Sequence, residues 1–270
     1  MTDLQKDKAT ICVVNYKTPL FIKLCLRSIR KFTAYPYEVI VVDNDSQDES
    51  TQYLKSLKWI RLIERRPDPD EQGGFAHGAG LDAGLKNCNT EYFVALHSDV
   101  FIQEQDWLTH LIKYFTDENV ACVGTGKIEL APPWRHWLKK ATDYRTFARK
   151  LLRKPDPLGI YRYYNRTICC LYRTRILNNE NLSFRMDQDK GITAGKKLYF
   201  ELVDRGYKTV ELPSKLVGAY LVHLAHATQV VNPDEFKLRI KTIKKTNRWV
   251  NRVFSSELAQ NILFDDSLDK

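Results

Sequence analysis

Asp99 closes the run Glu91-Tyr-Phe-Val-Ala-Leu-His-Ser-Asp-Val100, an apolar stretch that stops abruptly on His97-Ser98-Asp99. So apolar a run predicts a buried strand, which puts Asp99 at a sheet edge, where open α/β folds bind their ligands. A carboxylate placed there suits a hard cation, Mg2+ or Mn2+, and through it a nucleotide diphosphate. Another apolar run, residues 217–222, leads into His223-Leu-Ala-His226-Ala-Thr228, so an imidazole is available as a secondary ligand. A histidine beside apolar residues is as readily a satisfied core group. Two earlier runs end the same way: residues 10–15 on Asn15, followed by Tyr16, and residues 37–43 on Asp43, followed by Asn44. Asn15 and Tyr16 offer a hydrogen-bonding floor, and Asp43 could accept from a base N–H or a ribose hydroxyl. The competing role for Asp43, Asp45, Ser46 and Asp48 is helix capping. Gly73-Gly74-Phe75-Ala76-His77-Gly78-Ala79-Gly80 matches neither a Walker loop nor the spaced dinucleotide fingerprint. Its glycines either bring backbone close to a diphosphate at a helix N-terminus or simply form a tight loop before a helix.

Regular alternation of strand and helix patterns positions these groups, and it predicts βαβ units with a mostly parallel sheet. Thr18-Pro19 is an expected N-cap and first helical residue, with Phe21, Leu24, Cys25, Ile29 and Phe32 recurring at helical spacing. A short helix with Leu54 and Leu57 inward follows Asp43, then a strand over residues 59–63. A glycine-rich helix over 75–85 leads to the strand that ends on Asp99. Further expectations are a helix over 106–115, strands over 119–124 and 207–212, and a helix within 191–206 that turns Leu198 and Leu202 inward. Two basic amphipathic segments complete the pattern. One carries Trp134, Trp137, Leu138, Ala141, Ala148, Leu151 and Leu152; the other carries Phe236, Ile240, Ile243 and Val250 beside Lys237, Arg239, Lys241, Lys244 and Lys245. A core-facing stripe with a solvated charged face is the ordinary explanation, and contact with a membrane surface is the alternative.

The 270 residues, 43% hydrophobic and 28% charged, suffice for one large domain or two intimately packed ones. The apolar runs are far shorter than the roughly 20 residues of a membrane span, and residues 1–8 lack a secretory apolar region, so a cytoplasmic protein is expected. Six cysteines fall mostly inside apolar runs without metal-type pairing and are expected as reduced core thiols. The net charge of +9 is uneven: residues 134–166 hold ten Lys or Arg against Asp143 and Asp156, a local net charge of +8. Such a cluster suits an anionic lipid or a phosphorylated ligand; nucleic acid is disfavoured because no DNA- or RNA-binding signature accompanies it.

In this order the pieces resemble the inverting glycosyltransferases of family 2, with the GT-A fold, and within them a rhamnosyltransferase-like branch. The resemblance rests on Val13-Val-Asn-Tyr16, Val41-Val-Asp-Asn-Asp-Ser46, Gly74-Phe-Ala76 with Gly78 and Gly84, and His97-Ser-Asp99. It covers residues 9–125 well and continues thinly to about 230 through Lys197-Leu-Tyr-Phe-Glu-Leu-Val-Asp-Arg-Gly-Tyr207 and His223. It implies transfer of a sugar from a nucleotide diphosphate sugar of UDP, dTDP or GDP type to a glycan or lipid-linked acceptor, with inversion. Asn15, Tyr16, Asp43, Gly74, Phe75, Asp82, His97 and Ser98 are then the expected donor-binding residues. Asp99 and His223 are the expected metal ligands, His97 standing where the family's motif has its first carboxylate. The resemblance further implies a donor half over residues 1–126, an acceptor and catalytic half over 127–232, and a basic helical extension over 233–270.

The family's acidic pair falls at Ala194 and Gly195, counting back from Gly206, and neither can take a proton. Asp189, or failing it Asp187, is therefore the expected base, supplied from the preceding loop. Trp134, Trp137, Tyr161, Tyr163 and Tyr164 lie where the family's acceptor region does and could stack on sugar rings. The alternative is a catalytically degenerate GT-A domain that binds a nucleotide sugar or scaffolds a partner. A sugar nucleotidyltransferase is disfavoured, because Asn15-Tyr-Lys-Thr-Pro19 is not the glycine- and Arg/Lys-rich loop that class needs.

Overall fold

The computed structural model of the protein describes residues 3–71, 73–126, 164–186 and 194–270. A seven-stranded sheet in the order β3-β2-β1-β4-β7-β6-β8 forms its centre. The strands are β1 (Gln5–Asn15), β2 (Tyr37–Asp43), β3 (Ile60–Glu64), β4 (Thr90–His97), β6 (Val120–Thr125), β7 (Cys169–Arg173) and β8 (Lys208–Leu212). All neighbours run parallel except β7, which is antiparallel to both β4 and β6. This is the expected mixed α/β fold with a mostly parallel sheet.

Burial on both faces explains why the central strands are continuous apolar runs. Along β1, Ala9, Ile11 and Val13 pack on one layer with Ile22, Leu26 and Ile29 of helix α1 (Pro19–Phe32). Cys12 and Val14 point the other way, towards Leu81 and Leu85 of α3 (Gly74–Lys86). Helices α2 (Glu49–Ser56) and α4 (Trp107–Ile112) share the first layer through Leu54, Trp107, Leu108 and Leu111. Helices α5 (Thr174–Asn179) and α6 (Ala194–Asp204) share the second, where Leu198 and Leu202 are fully buried. All six cysteines are buried and free.

A small antiparallel ribbon crowns one end of the sheet: β5 (Val100–Ile102) pairs with β9 (Leu221–His223). The apolar run at 217–222 is therefore split between α7 (Ser214–Tyr220) and β9. Helices α8 (Ala227–Val231), α9 (Ile240–Phe254) and α10 (Glu257–Leu263) follow. Val253, Ala259 and Ile262 pack against the outer face of α1 through Phe21 and Leu24, with Leu224 and Ala227 in the same cluster.

Local expectations differ from the structure in three places. The helix expected over 106–115 stops at Ile112. Phe236 does not share a helical face with Ile243, because α9 begins only at Ile240, and Ile240 itself is 71% exposed. Thr18 sits at the N-cap of α1 ahead of Pro19, but its hydroxyl bonds Asn15 Oδ1 at 2.9 Å instead of capping the helix.

Candidate active site

Sheet order dictates where a site can form. The chain builds β1, β2 and β3 outward in one direction and then returns to place β4 on the other side of β1, so the topological switch point lies between β1 and β4. Val14 is paired with His97 there. The C-terminal ends of β1 and β4 open into a cavity of about 850 Å3. Its walls include Tyr16, Asn44, Gly74, His97, Ser98, Asp99, Arg166, Thr167, Met186, Ala194, Gly195, His223, Thr228 and Phe236.

Asp99 and His223 meet because of the ribbon. Val100 pairs with His223, and Leu224 N–H donates to Asp99 O at 2.9 Å, locking the two chain segments in register. His223 Nε2 lies 3.2 Å and His97 Nδ1 3.7 Å from Asp99 Oδ1. The three side chains can each aim one ligand atom into a space where these atoms lie within 4.8 Å of one another. Asp99 Oδ1 and His223 Nδ1 are nevertheless buried without a hydrogen-bond partner. Burial would raise the Asp99 pKa, but the His223 and His97 imidazoles outweigh it and hold the carboxyl well below the usual range. The His77 ring stands edge-on to His97 at 4.8 Å, and burial, aided by the neighbouring His97 ring, pushes its pKa down to about 3, so it is a neutral neighbour. One carboxylate and two imidazoles converging on a buried, unsatisfied oxygen are a donor set that fits a divalent cation.

The other expected site residues divide sharply. Tyr16, Gly74, His97 and Ser98 stand on the cavity wall with Asp99 and His223, whereas Asn15, Asp43, Phe75 and Asp82 are not among its lining residues. Asn15 is fully buried and its amide donates to Asp43, Ser46 and Ser50. Asp43 accepts from Asn15, Ser46 and Thr51, so its oxygens are occupied within the β2–α2 turn. Asp82 accepts from Ser183 Oγ at 2.6 Å and Phe184 N–H at 2.7 Å, tying the 183–186 segment to α3. Asp48 caps α2 through Ser50 N–H.

The inner glycines of α3 face protein. A Cβ on Gly84 would lie 2.3 Å from Cys12 Sγ, and one on Gly78 would lie 2.5 Å from Phe184 O, so they permit close helix packing. Asp187, Asp189 and residues 134–163 of the basic segment lie outside the described residues. Ala194 and Gly195 do reach the cavity, but a Cβ on Gly195 would meet Thr167 Cγ2 at 2.8 Å with backbone behind it. The Thr167 methyl is therefore what crowds a side chain at 195 and would have to shift to admit one.

Glu235 and Thr167 carried no signal in the sequence, whereas Arg166 closes the basic 134–166 cluster. Glu235 accepts from Tyr16 OH at 2.6 Å and pairs with Lys17 Nζ at 2.5 Å, bringing the α8–α9 connection across the mouth. Burial, together with the bond to Glu235, raises the Tyr16 pKa, so this phenol stays protonated. Arg166 lies on the wall over the Tyr164 ring, 5.2 Å away, with no carboxylate partner among the described residues. Thr167 Oγ1 stands 3.4 Å from His97 Nε2.

The sequence profile described as Glycosyl transferase family 2 matches residues 10–178, more than half of the chain. The chain belongs to glycosyl transferase family 2. Two named relatives are similar over part of the chain. The chain is 26% identical over 117 residues, 43% of its length, to the O-antigen chain rhamnosyltransferase RfbN of Salmonella typhimurium, covering 36% of that protein. It is 32% identical over 98 residues, 34% of its length, to the teichoic acid poly(glycerol phosphate) polymerase of Staphylococcus epidermidis, covering 13% of it. The matches thus span about a third or less of these family relatives' own lengths. Two solved structures share the fold at 15% identity. The mannosyltransferase PcManGT of Pyrobaculum calidifontis, in complex with GDP-Man and Mn2+, has a TM-score of 0.52 over 94% of this chain and 73% of that one. TarS 1-349 of S. aureus has a TM-score of 0.53 over 96% and 75%. Both likenesses show a shared fold over nearly the whole of this chain.

Proposed function

We propose that this chain transfers a sugar from a nucleotide diphosphate sugar to an acceptor hydroxyl with inversion, in glycan or glycolipid biosynthesis. One observation carries the reading: His97, Asp99 and His223 converge at the switch point of a family 2 sheet, on the wall of a cavity large enough for a nucleotide sugar. Tyr16, Asn44, Gly74 and Ser98 would line the donor, while Asn15 and Asp43 shape the strand ends that present it. Mg2+ or Mn2+ held by Asp99, His223 and His97 would neutralise charge on the departing diphosphate. Arg166 adds a fixed cation on the same wall. A carboxylate must take the acceptor proton, and Asp189, with Asp187 as the second choice, is assigned that role because Ala194 and Gly195 cannot fill it. Residues 1–126 then form the donor half, 127–232 the acceptor half and 233–270 a basic extension. The names of the O-antigen and teichoic acid relatives support an envelope polysaccharide as the setting.

Ala194 and Gly195 also favour a second reading, a degenerate domain that binds nucleotide sugar without turnover. UDP-, dTDP- and GDP-sugars are expected to separate the two. At least one should raise the Tm with Mn2+ present and be hydrolysed or transferred. Asp189→Asn should cut that turnover by roughly 10²–10⁴-fold with the donor-induced Tm shift retained. A donor that shifts the Tm without any turnover points to the degenerate domain, and no shift with any donor sinks both.

The acceptor is proposed to be glycan or lipid-linked, reached from the membrane surface. Residues 236–256 hold seven Lys or Arg and no acid, so together with residues 134–166 they leave the rest of the chain with a net charge of −6. On α9, Lys241, Lys244, Lys245, Arg248 and Arg252 are all exposed. No helix among the described residues is long and apolar enough to cross a membrane. Vesicles containing about 30% anionic lipid are expected to co-sediment the protein and neutral vesicles not to. Glutamine at Lys241, Lys244 and Lys245 should weaken that binding roughly tenfold or more at physiological salt. Equal binding to both vesicle types would refute the surface role.

A further inference from the structure

We propose that Leu20, Val231 and Ile240 form an apolar rim that dips into the headgroup region of an anionic membrane and turns the cavity mouth towards the bilayer. This rests on the proposed membrane-surface acceptor and adds to it how the chain is seated and which face it presents.

Five large apolar side chains are exposed among the described residues: Leu20, Val203, Val231, Ile240 and Phe264. Single exposed apolar groups are ordinary on a protein surface, so position is what sets three of these apart. Leu20 follows Tyr16 by four residues, Val231 follows Gln229 by two and Ile240 follows Phe236 by four; Tyr16, Gln229 and Phe236 all stand on the cavity wall. The Asn232 amide donates to Lys17 O at 3.2 Å, which holds the end of α8 against the start of α1. Thr246 Oγ1 donates to Ala225 O at 3.2 Å, and Ala225 also lines the cavity, so the first turns of α9 run along the same rim.

Charge says what covers this rim. Ile240 shares the outer face of α9 with Lys244, one turn on, and Lys241, Lys245 and Arg248 are exposed beside it. Residues 236–256 contain no acid, and Glu235 just before them is already paired with Lys17. A second copy of this chain would bring the same positive charge against itself. An apolar point set in a field of positive charge fits a surface that is anionic outside and apolar just beneath, which is the layering of a charged leaflet. Thr246 and Val253 of α9 are buried on its opposite side, so the helix lies along the membrane and only its outer side chains reach lipid. Seated in this way, the mouth opens onto the headgroups, and the acceptor it fits is a saccharide whose lipid anchor stays in the leaflet.

Labelling tests the seating without turnover. All six native cysteines are buried, so a cysteine placed at an exposed position takes a solvent-sensitive nitrobenzoxadiazole label in the folded protein. Leu20→Cys, Val231→Cys and Ile240→Cys are made singly and titrated with vesicles of about 30% anionic lipid. Val203→Cys, near the far end of α6 from the wall residues Ala194 and Gly195, is the control. The rim labels are expected to brighten about twofold or more, shift to the blue and be quenched by nitroxide-bearing lipids, while the control stays water-like. Leu20→Ser combined with Ile240→Ser should weaken co-sedimentation with the same vesicles by roughly tenfold, with an unchanged circular dichroism spectrum. Vesicle binding with all rim labels water-like, or an unchanged affinity in that double variant, would overturn the insertion and leave electrostatic adsorption standing. A control label that responds as strongly as the rim would overturn the orientation. Absence of binding to anionic vesicles would remove the membrane-surface reading as well, whereas sugar transfer is scored separately by the donor assays.

Discussion

Asp99→Asn is expected to lower transfer by roughly 10³-fold or more and to abolish the rise in Tm on adding Mn2+. Each tenfold in rate is about 1.4 kcal/mol, so this effect asks the metal to supply about 4 kcal/mol of leaving-group stabilisation, an ordinary demand on a bound divalent ion. Asp99 must carry most of it because it is the sole anion of the described cluster; His97 and His223 are neutral donors when they ligate. Asparagine keeps the shape and the backbone bond from Leu224 N–H to Asp99 O, so circular dichroism should report an unchanged fold. Turnover with Mn2+ is the deciding measurement. A variant within tenfold of the wild-type rate would show that charge at Asp99 is not what holds the diphosphate.

The parts of this site that were legible in the sequence are those whose cause is local. A strand buried on both faces must be apolar throughout, so its end is visible as a sudden polar residue, and β1, β2 and β4 declared themselves in that way. What depends on distant pairing did not. Strand β7 enters antiparallel between β4 and β6, and nothing in Cys169-Cys-Leu-Tyr-Arg173 specifies those neighbours. The run at 217–222 is too short for periodicity to separate strand from helix, and it contains both. Gly78 and Gly84 have the composition of a ligand loop, yet contacts with Phe184 and Cys12 account for them. Asp43 stands at a strand end as expected, but Asn15, Ser46 and Thr51 have taken its oxygens. Glu235 reaches Tyr16 from more than 200 residues away, a contact that no local pattern encodes.

The same reach holds the C-terminus in place, and there Asp269→Ala is expected to cost about 3 kcal/mol, whereas Asp266→Ala should cost markedly less. Both aspartates pair with Arg27 of α1, whose side chain is fully buried. Their surroundings differ. The Asp266 side chain is 86% exposed, so water screens its attraction and replaces it when it is removed. Asp269 is 24% exposed; it accepts from Arg27 Nε at 2.9 Å and from Nη2, and also from Tyr53 OH at 2.8 Å. Its loss leaves a guanidinium inside the protein with the Ile262 and Leu263 carbonyls and the solvent-screened Asp266 carboxylate as its remaining partners. A buried charge left with only a solvent-screened counter-charge is the expensive outcome, which yields a second, opposite expectation: Arg27→Met combined with Asp269→Ala should be more stable than Asp269→Ala alone. Urea denaturation of the two single variants and the double mutant measures both terms. Equal costs for the two aspartates, or no recovery in the double mutant, would mean the tail is held by the apolar contacts of Ala259 and Ile262 instead. The outcome bears on the site because those residues share their cluster with Leu224 and Ala227, which flank the chain just after His223. Anchoring the tail on α1 is thus one of the contacts that keeps the His223 strand against Asp99.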